Sequence, residues 1–400
     1  MTNRIKGNER YLKKIFSTCA HFGEEKGAFL DSIVPPLFET VNFYFEDFKE
    51  ARDYFTGIKT DRYYYSRLQN PTTEILEKKM AAMEGTPACK CFASGMGAIG
   101  IAVLGVAGVG DHAICVNTVY KNTHRIFSEV TPCYGITTSF VRGLDINEFE
   151  QAVQPNTKLI FLESPSSSRY SMQDLQAIAE MAKSKGIITM IDNTYATPYN
   201  QNPYALGIDL VIHSGSKYLN GHGDVLMGVV CGSETLIKKL AEKEQYLLGN
   251  LPGPFESWLV LRGLRTFPVR MQYFNRVGLE MATFLENHPR VAKVYYPMLP
   301  SHPQHKLAMK QMRGAGSLMA IELKDGQLST VEGFINKLNY FKLAASWGGY
   351  ESLVWYPMIS VLKATQEWMD LHDYNPAMIR LFIGMEDIED IKEDLDQALR

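Results

Sequence analysis

From about residue 70 to about residue 230 the chain alternates short apolar runs with stretches of helical periodicity, and this alternation restricts the fold more than any other feature. "HAICVN", "TKLIFLES", "GIITMID" and "DLVIHS" have strand length and are rich in β-branched residues. Between the second and third stands "MQDLQAIAEMAKSKG". Its Leu175, Ile178, Ala179 and Ala182 recur at helical spacing, and Gly186 stops it. Upstream, Asn70-Pro71 reads as a helix start and Gly85 as its end. Strand, helix, strand in repetition calls for crossover connections. The expected core is therefore a largely parallel sheet covered by helices on both faces.

After this core comes a helix-rich stretch from about residue 255, then strand-like "VAKVYY", "GSLMAIEL" and "MIRLFIG" and a helical "DIEDIKEDLDQAL". The division expected is an N-terminal arm over 1–64, an α/β domain over 65–256 and a smaller α+β domain over 257–400. Composition narrows the function classes. The chain has 41 Lys and Arg against 44 Asp and Glu, with no long basic run, so nucleic acid and membrane surfaces are poor partners. "MTNRIKGNERYLKKIF" carries charge where a signal peptide is apolar, which points to the cytoplasm. The weakly polar run "GAIGIAVLGVAGVG" is too short and Gly-rich for a bilayer and reads as a buried helix. The six cysteines form no C-x-x-C pair and read as small residues of a reducing compartment. The nine histidines give no metal pattern, and "HPQH" at 302–305 reads as a surface turn.

"CFASGMGAIG" places Gly95-x-Gly97-x-x-Gly100 after a candidate strand. A dinucleotide fold wants an acid at the end of the next strand, and "HAICVN" ends instead in Asn117. What remains is a strand, a Gly-rich turn and a helix N-terminus, a geometry that offers free N–H groups to any phosphate. In "VIHSGSKYLNGHGD", Lys217 follows Ser214, Gly215 and Ser216 at a strand's carboxyl end, where open α/β sheets bind ligands. Asp192, in "TMIDNTYATP", ends a strand 25 positions earlier. A Lys for a Schiff base, an Asp to keep a pyridine nitrogen protonated, and a glycine–serine cradle for phosphate together fit pyridoxal phosphate (PLP).

The motifs "YYSRLQNPTTEILE", "ASGMGAI", "DNTYATP", "SGSKYLNGHGD" and "SWGGYESL" jointly resemble the PLP-dependent enzymes of Cys/Met metabolism. The resemblance runs from "STCAHFG" at 17 to the C-terminus. It implies the aspartate-aminotransferase-like α/β fold, PLP fold type I. It also implies roles. Lys217 carries the cofactor and moves protons. Asp192 pairs with the ring nitrogen. Tyr120, in "VYKNT", stacks on the ring and serves as acid or base. Gly95 and Met96, through their N–H groups, hold the phosphate with Ser214 and Ser216. Tyr65 and Arg67 complete that phosphate site from a neighbouring subunit, which implies at least a dimer and, as in relatives, a tetramer. Arg380 grips the substrate α-carboxylate, with Ser346 and Trp347 on the substrate side.

The resemblance leaves two reactions open. "SWGGYESL" and "ESPSSS" are similar to bacterial cystathionine β-lyases, and Ala345 stands where cystathionine γ-lyases carry Glu. "YSRLQNPT" is closer to the γ-type enzymes. The leading expectation is α,β-elimination of cystathionine or cysteine S-conjugates to a thiol, pyruvate and ammonia. The alternative is γ-elimination or γ-replacement. Lys121 and Asn122 replace small residues of the relatives; Lys121 faces either solvent or an acidic distal part of the substrate.

Overall fold

A computed structural model describes residues 14–24, 29–167, 169–360 and 375–400. The expected alternation forms a seven-stranded sheet ordered β1-β7-β6-β5-β4-β2-β3. The strands are β1 (Ala88–Phe92), β2 (His112–Val116), β3 (Thr137–Val141), β4 (Thr157–Glu163), β5 (Ile188–Asp192), β6 (Leu210–Ser214) and β7 (Gly228–Gly232). The β3, β2, β4, β5 and β6 neighbours all pair in parallel. β7 runs antiparallel to both β6 and β1. The stretch from Gly215 to Met227 folds into turns and supplies no crossover helix, so the chain returns beside β6 in the opposite direction. β2 and β7 are buried along their whole length, as two covered faces require.

The covering helices begin and end as their sequences dictate. In α1 (Pro71–Glu84) the Asn70 side chain accepts from Thr72 N, and Gly85 closes the helix at φ 72°. α2 (Gly95–Val106) is capped by Ser94, whose hydroxyl accepts from Gly97 N at 3.0 Å. α3 (Leu175–Ser184) is capped by Asp174 and buries Leu175, Ile178, Ala179 and Ala182, the residues read as its apolar face.

Register decides what shares an edge. Phe92, Gly228 and Ser214 lie level across β1, β7 and β6, while Glu163, Asp192 and Ile212 lie level across β4, β5 and β6. The carboxyl ends of β1, β4, β5 and β6 therefore open on one side of the sheet, and α2 starts there.

The second sheet has five strands, ordered β10-β11-β12-β9-β8. They are β8 (Val291–Tyr295), β9 (Leu318–Leu323), β10 (Lys342–Leu343), β11 (Leu353–Trp355) and β12 (Met378–Phe382). A 33-residue helix, α4 (Pro254–Glu286), serves both sheets. Near its start Ser257 Oγ lies 2.9 Å from Thr73 Oγ1 of α1; farther along, Tyr273 Oη donates to Glu386 O at 2.8 Å, just before α5 (Ile388–Leu399). Arg270 of α4 is buried and donates to the carbonyls of Tyr218 (2.7 Å), Leu219 (3.2 Å) and Gly263 (2.9 Å). The guanidinium thereby pins the turn that follows Lys217. The loop after β10 closes on the same turn. At Gly348, φ 86°, a Cβ would stand 2.7 Å from Tyr218 N and 3.1 Å from Lys217 Cα, so only glycine allows this approach.

Two local expectations change. The N-terminal arm contains a short helix, Phe48–Phe55, and a bridge between Asn42 and Tyr65. His302, read as part of a surface turn, is buried, and burial lowers its pKa to about 4. Among the described residues no helix is long and apolar enough to cross a membrane, and no cluster of His, Cys, Asp and Glu could hold a metal ion.

Candidate active site

Lys217 stands three residues past β6, in the turn that Arg270 holds. Its Nζ donates to Ser346 Oγ and lies 5.7 Å from the centroid of the Trp347 ring. Burial, and then the Arg380 charge, lower its pKa to about 8, against the opposing pull of Asp192. An amine so placed has a usable neutral fraction near neutral pH and can act as nucleophile or base.

Ser346 has φ 81°, a left-handed conformation that a non-glycine residue adopts at a cost. Its hydroxyl meets Lys217, and its carbonyl accepts from Arg380 Nη2 at 3.2 Å. Arg380 sits on β12 between Trp355 and Ala320 of the flanking strands. Burial lowers its pKa, and the phenols of Tyr170 and Tyr120 act in the opposite direction. Among the described residues it has no carboxylate partner. Trp347 is buried edge-to-face against Tyr218 (5.3 Å) and Tyr195 (6.5 Å).

Asp192 ends β5. Thr194 donates to its Oδ1 from the backbone (2.9 Å) and from the hydroxyl, and the same hydroxyl accepts from Ser214 N at 2.8 Å. Oδ2 makes no hydrogen bond among the described residues. Burial raises the Asp192 pKa; the Thr194 hydrogen bonds, then His213 and Lys217, resist the rise.

Glu163 escaped the sequence reading. It ends β4 directly beside Asp192. Its Oε2 accepts from Tyr120 N at 2.7 Å and its Oε1 from Ser167 N at 2.5 Å, so it fixes the start of the helix that displays Tyr120. Burial, then the Asp192 charge, push its pKa up to about 8. Its folded pKa lies above the unfolded value, so the folded state holds the extra proton between about pH 4.5 and pH 8. Relative to Glu163→Gln, the parent protein is expected to lose roughly 2 kcal/mol of stability as pH rises through that window. Urea midpoints at pH 5 and pH 8.5 check this; equal shifts in the two proteins would refute it.

The glycine turn has the shape expected of an anion cradle. A Cβ on Gly95 would stand 2.8 Å from Ser214 Cβ, so the helix start reaches β6 only because the side chain is missing. Gly95 N and Met96 N make no hydrogen bond among the described residues. Ser216 Oγ accepts from Met227 N at 2.9 Å and donates to Met227 O at 3.4 Å. Tyr120 is 44% exposed, and its Oη accepts from Asn122 Nδ2 at 3.0 Å.

The structure thus joins Lys217, Ser346, Trp347, Arg380 and Asp192 in one place, with the Gly95–Ser214 cradle attached through Thr194. Tyr65 and Arg67 stand apart. Arg67 donates to Tyr246 O at 2.8 Å and lies 5.4 Å over the Tyr65 ring, and no contact among the described residues joins either to Lys217. The donor set fits PLP. Unpaired N–H groups suit a phosphate, the unpaired Asp192 Oδ2 suits a protonated ring nitrogen, and the lysine amine suits an aldehyde.

Comparison with known proteins agrees. A family profile described as Cys/Met metabolism PLP-dependent enzyme matches residues 17–400. A cystathionine beta-lyase of Coxiella burnetii is 42% identical over 84% of this chain and 87% of its own length. An L-methionine gamma-lyase of Porphyromonas gingivalis is 37% identical over 98% of each chain. A cystathionine gamma-lyase of Macaca fascicularis is 39% identical over 96% of this chain and 93% of its own. With its lysine, aspartate and glycine cradle on the carboxyl edge of a fold type I sheet, the chain belongs to the PLP-dependent enzymes of Cys/Met metabolism.

Proposed function

We propose that this enzyme cleaves a carbon–sulfur bond by α,β-elimination, turning cystathionine or a cysteine S-conjugate into a thiol, pyruvate and ammonia. The observation that carries the reading is the Lys217 amine, brought near neutrality and held by Ser346 between Arg380 and Asp192. PLP, when bound, supplies a ring that withdraws electrons from Cα. Lys217 would hold it through the side-chain amine, and the same amine would take the Cα proton. Asp192 Oδ2 holds the proton on the ring nitrogen. Gly95 N, Met96 N, Ser214 and Ser216 bind the phosphate, and Tyr120 covers the ring. Arg380 orients the substrate through its α-carboxylate, with Ser346 and Trp347 bordering the same space.

β-Release follows a single proton removal at Cα, which Lys217 can perform alone. γ-Release needs a second proton taken from Cβ, and Ala345 places no carboxylate beside Ser346 for that step. The second reading is γ-elimination or γ-replacement, favoured by γ-lyases that match nearly the whole chain. Product analysis with cystathionine and methionine separates the two. Pyruvate from cystathionine is the expected result; 2-oxobutyrate would transfer the assignment to γ-cleavage, and absence of both would overturn lyase activity.

The same proposal includes a shared site. Tyr65 and Arg67 serve a neighbouring subunit of a dimer, and dimers pair into a tetramer. Support comes from the arm, where Leu30, Ile33, Tyr44, Phe48 and Ile58 are all exposed in the single chain. The units of the chain are the arm (1–64), the cofactor domain (65–256) and the C-terminal domain (257–400). Six free cysteines, five of them buried, suit a cytoplasmic setting.

A further inference from the structure

We propose that Asn122 is a positioning residue for proton transfer by Tyr120: its side-chain amide holds the phenol oxygen and stabilises the charge left there when the phenol gives its hydrogen to the departing sulfur. The inference rests on the reading of Tyr120 as the acid of a β-cleavage and adds to it a residue at which this chain departs from its relatives.

Asn122 Nδ2 donates to Tyr120 Oη at 3.0 Å. A glycine or proline at 122 would carry no such donor. The backbones of both residues are held. Tyr120 N donates to Glu163 Oε2 at 2.7 Å, and His124 N donates to Tyr120 O at 3.0 Å. Tyr120 stands immediately before the helix Lys121–Arg125, and Asn122 O accepts from Ile126 N within the same stretch. Thr123, the next residue, is buried. With the two backbones fixed, the amide ties down the tip of the phenol. The bond also has a direction. An amide N–H only donates, so it takes one lone pair of Oη and leaves the phenolic hydrogen for another acceptor. In β-cleavage the C–S bonding pair leaves with sulfur. The hydrogen passes from Oη to sulfur as the S–H bond forms, Oη keeps the O–H pair, and solvent returns a proton to Oη afterwards. Oη is neutral before this step and negative after it. An N–H donor binds the negative form about twice as strongly as the neutral one, so the amide favours the transfer.

Two cysteine S-conjugates test this on the cofactor-loaded enzyme. S-ethylcysteine expels a poor leaving group that needs the proton; S-phenylcysteine expels a stable thiolate that does not. Asn122→Ala is expected to lower kcat for the ethyl substrate about tenfold and to leave kcat for the phenyl substrate within about twofold. Asn122→Asp keeps the size, removes the donor and adds a repelling charge, so it should lower the ethyl rate at least as far. In the Tyr120→Phe background Asn122→Ala should add nothing. Calorimetry with PLP on the cofactor-free protein should give the parent's Kd for Asn122→Ala. Equal loss on the two substrates, no loss on either, or a tenfold rise in Kd for PLP overturns the proposal. Tyr120→Phe separates the two layers. If it slows the ethyl substrate selectively and Asn122→Ala does not, only the Asn122 inference falls; if Tyr120→Phe spares the ethyl substrate, the reading of Tyr120 falls with it. A parent enzyme that cleaves neither conjugate overturns both.

Discussion

Lys217→Ala is expected to lower kcat by about ten-thousand-fold, because one amine both anchors the cofactor and carries the Cα proton. Borohydride reduction should then leave no cofactor adduct at position 217, while noncovalent binding through Gly95, Met96 and Ser214 persists. A small added amine should restore part of the activity. Turnover within tenfold of the parent would remove Lys217 from the chemistry. Stability should move the other way. The folded pKa of about 8 lies below the unfolded value, so the charged amine costs stability below pH 8, and the cost fades between about pH 8 and pH 10.5. The cofactor-free variant should exceed the parent by about 1 kcal/mol at pH 7, with the gap closing by pH 10.5. Urea unfolding at the two pH values reads it directly.

Asp192→Asn is expected to lower kcat by about a thousandfold and to weaken cofactor retention, since a neutral amide gives a protonated ring nitrogen no counter-charge. The asparagine oxygen can still accept from Thr194 N, so the fold survives. Burial raises the native pKa of Asp192, so ionisation costs stability above that pKa, and the cost disappears as pH falls toward the unfolded value. The cofactor-free variant should therefore be more stable than the parent at pH 7, with no difference near pH 3.8. A variant that is both less stable and fully active would refute the assignment. Opposed effects on activity and stability are the signature of a group kept for its chemistry and not for the fold.

The helices and parallel strands were legible because their signals are local. Asn70, Gly85 and the spacing of Leu175, Ile178, Ala179 and Ala182 act within a turn or two of chain. Lys217, Asp192 and the glycine turn were legible for a second reason: each lies at the end of an apolar run, and open sheets gather their ligands there. The antiparallel return of β7 was not legible, since direction is set by what joins two strands and not by their own residues. Glu163 stood in a run already quoted, "ESPSSS", and a second strand-end acid beside Asp192 was the signal available. Ser346 was placed on the substrate side, but its contact with Lys217 depends on the close approach at Gly348, which only the folded chain reveals.

The common level of the strand ends has a consequence for anyone reworking this scaffold. The proposed chemistry sits on one rim of the large sheet, and the turns on the far rim precede β2, β4 and β5. There residues 108–110, 155 and 183–186 face solvent, and Gly108, Gly110 and Gly186 have nothing within 4 Å of a would-be Cβ. Those hairpin-sized connections are the natural docking points for a grafted tag, a fluorophore or a tether to a surface, because added length there leaves every catalytic rung in step.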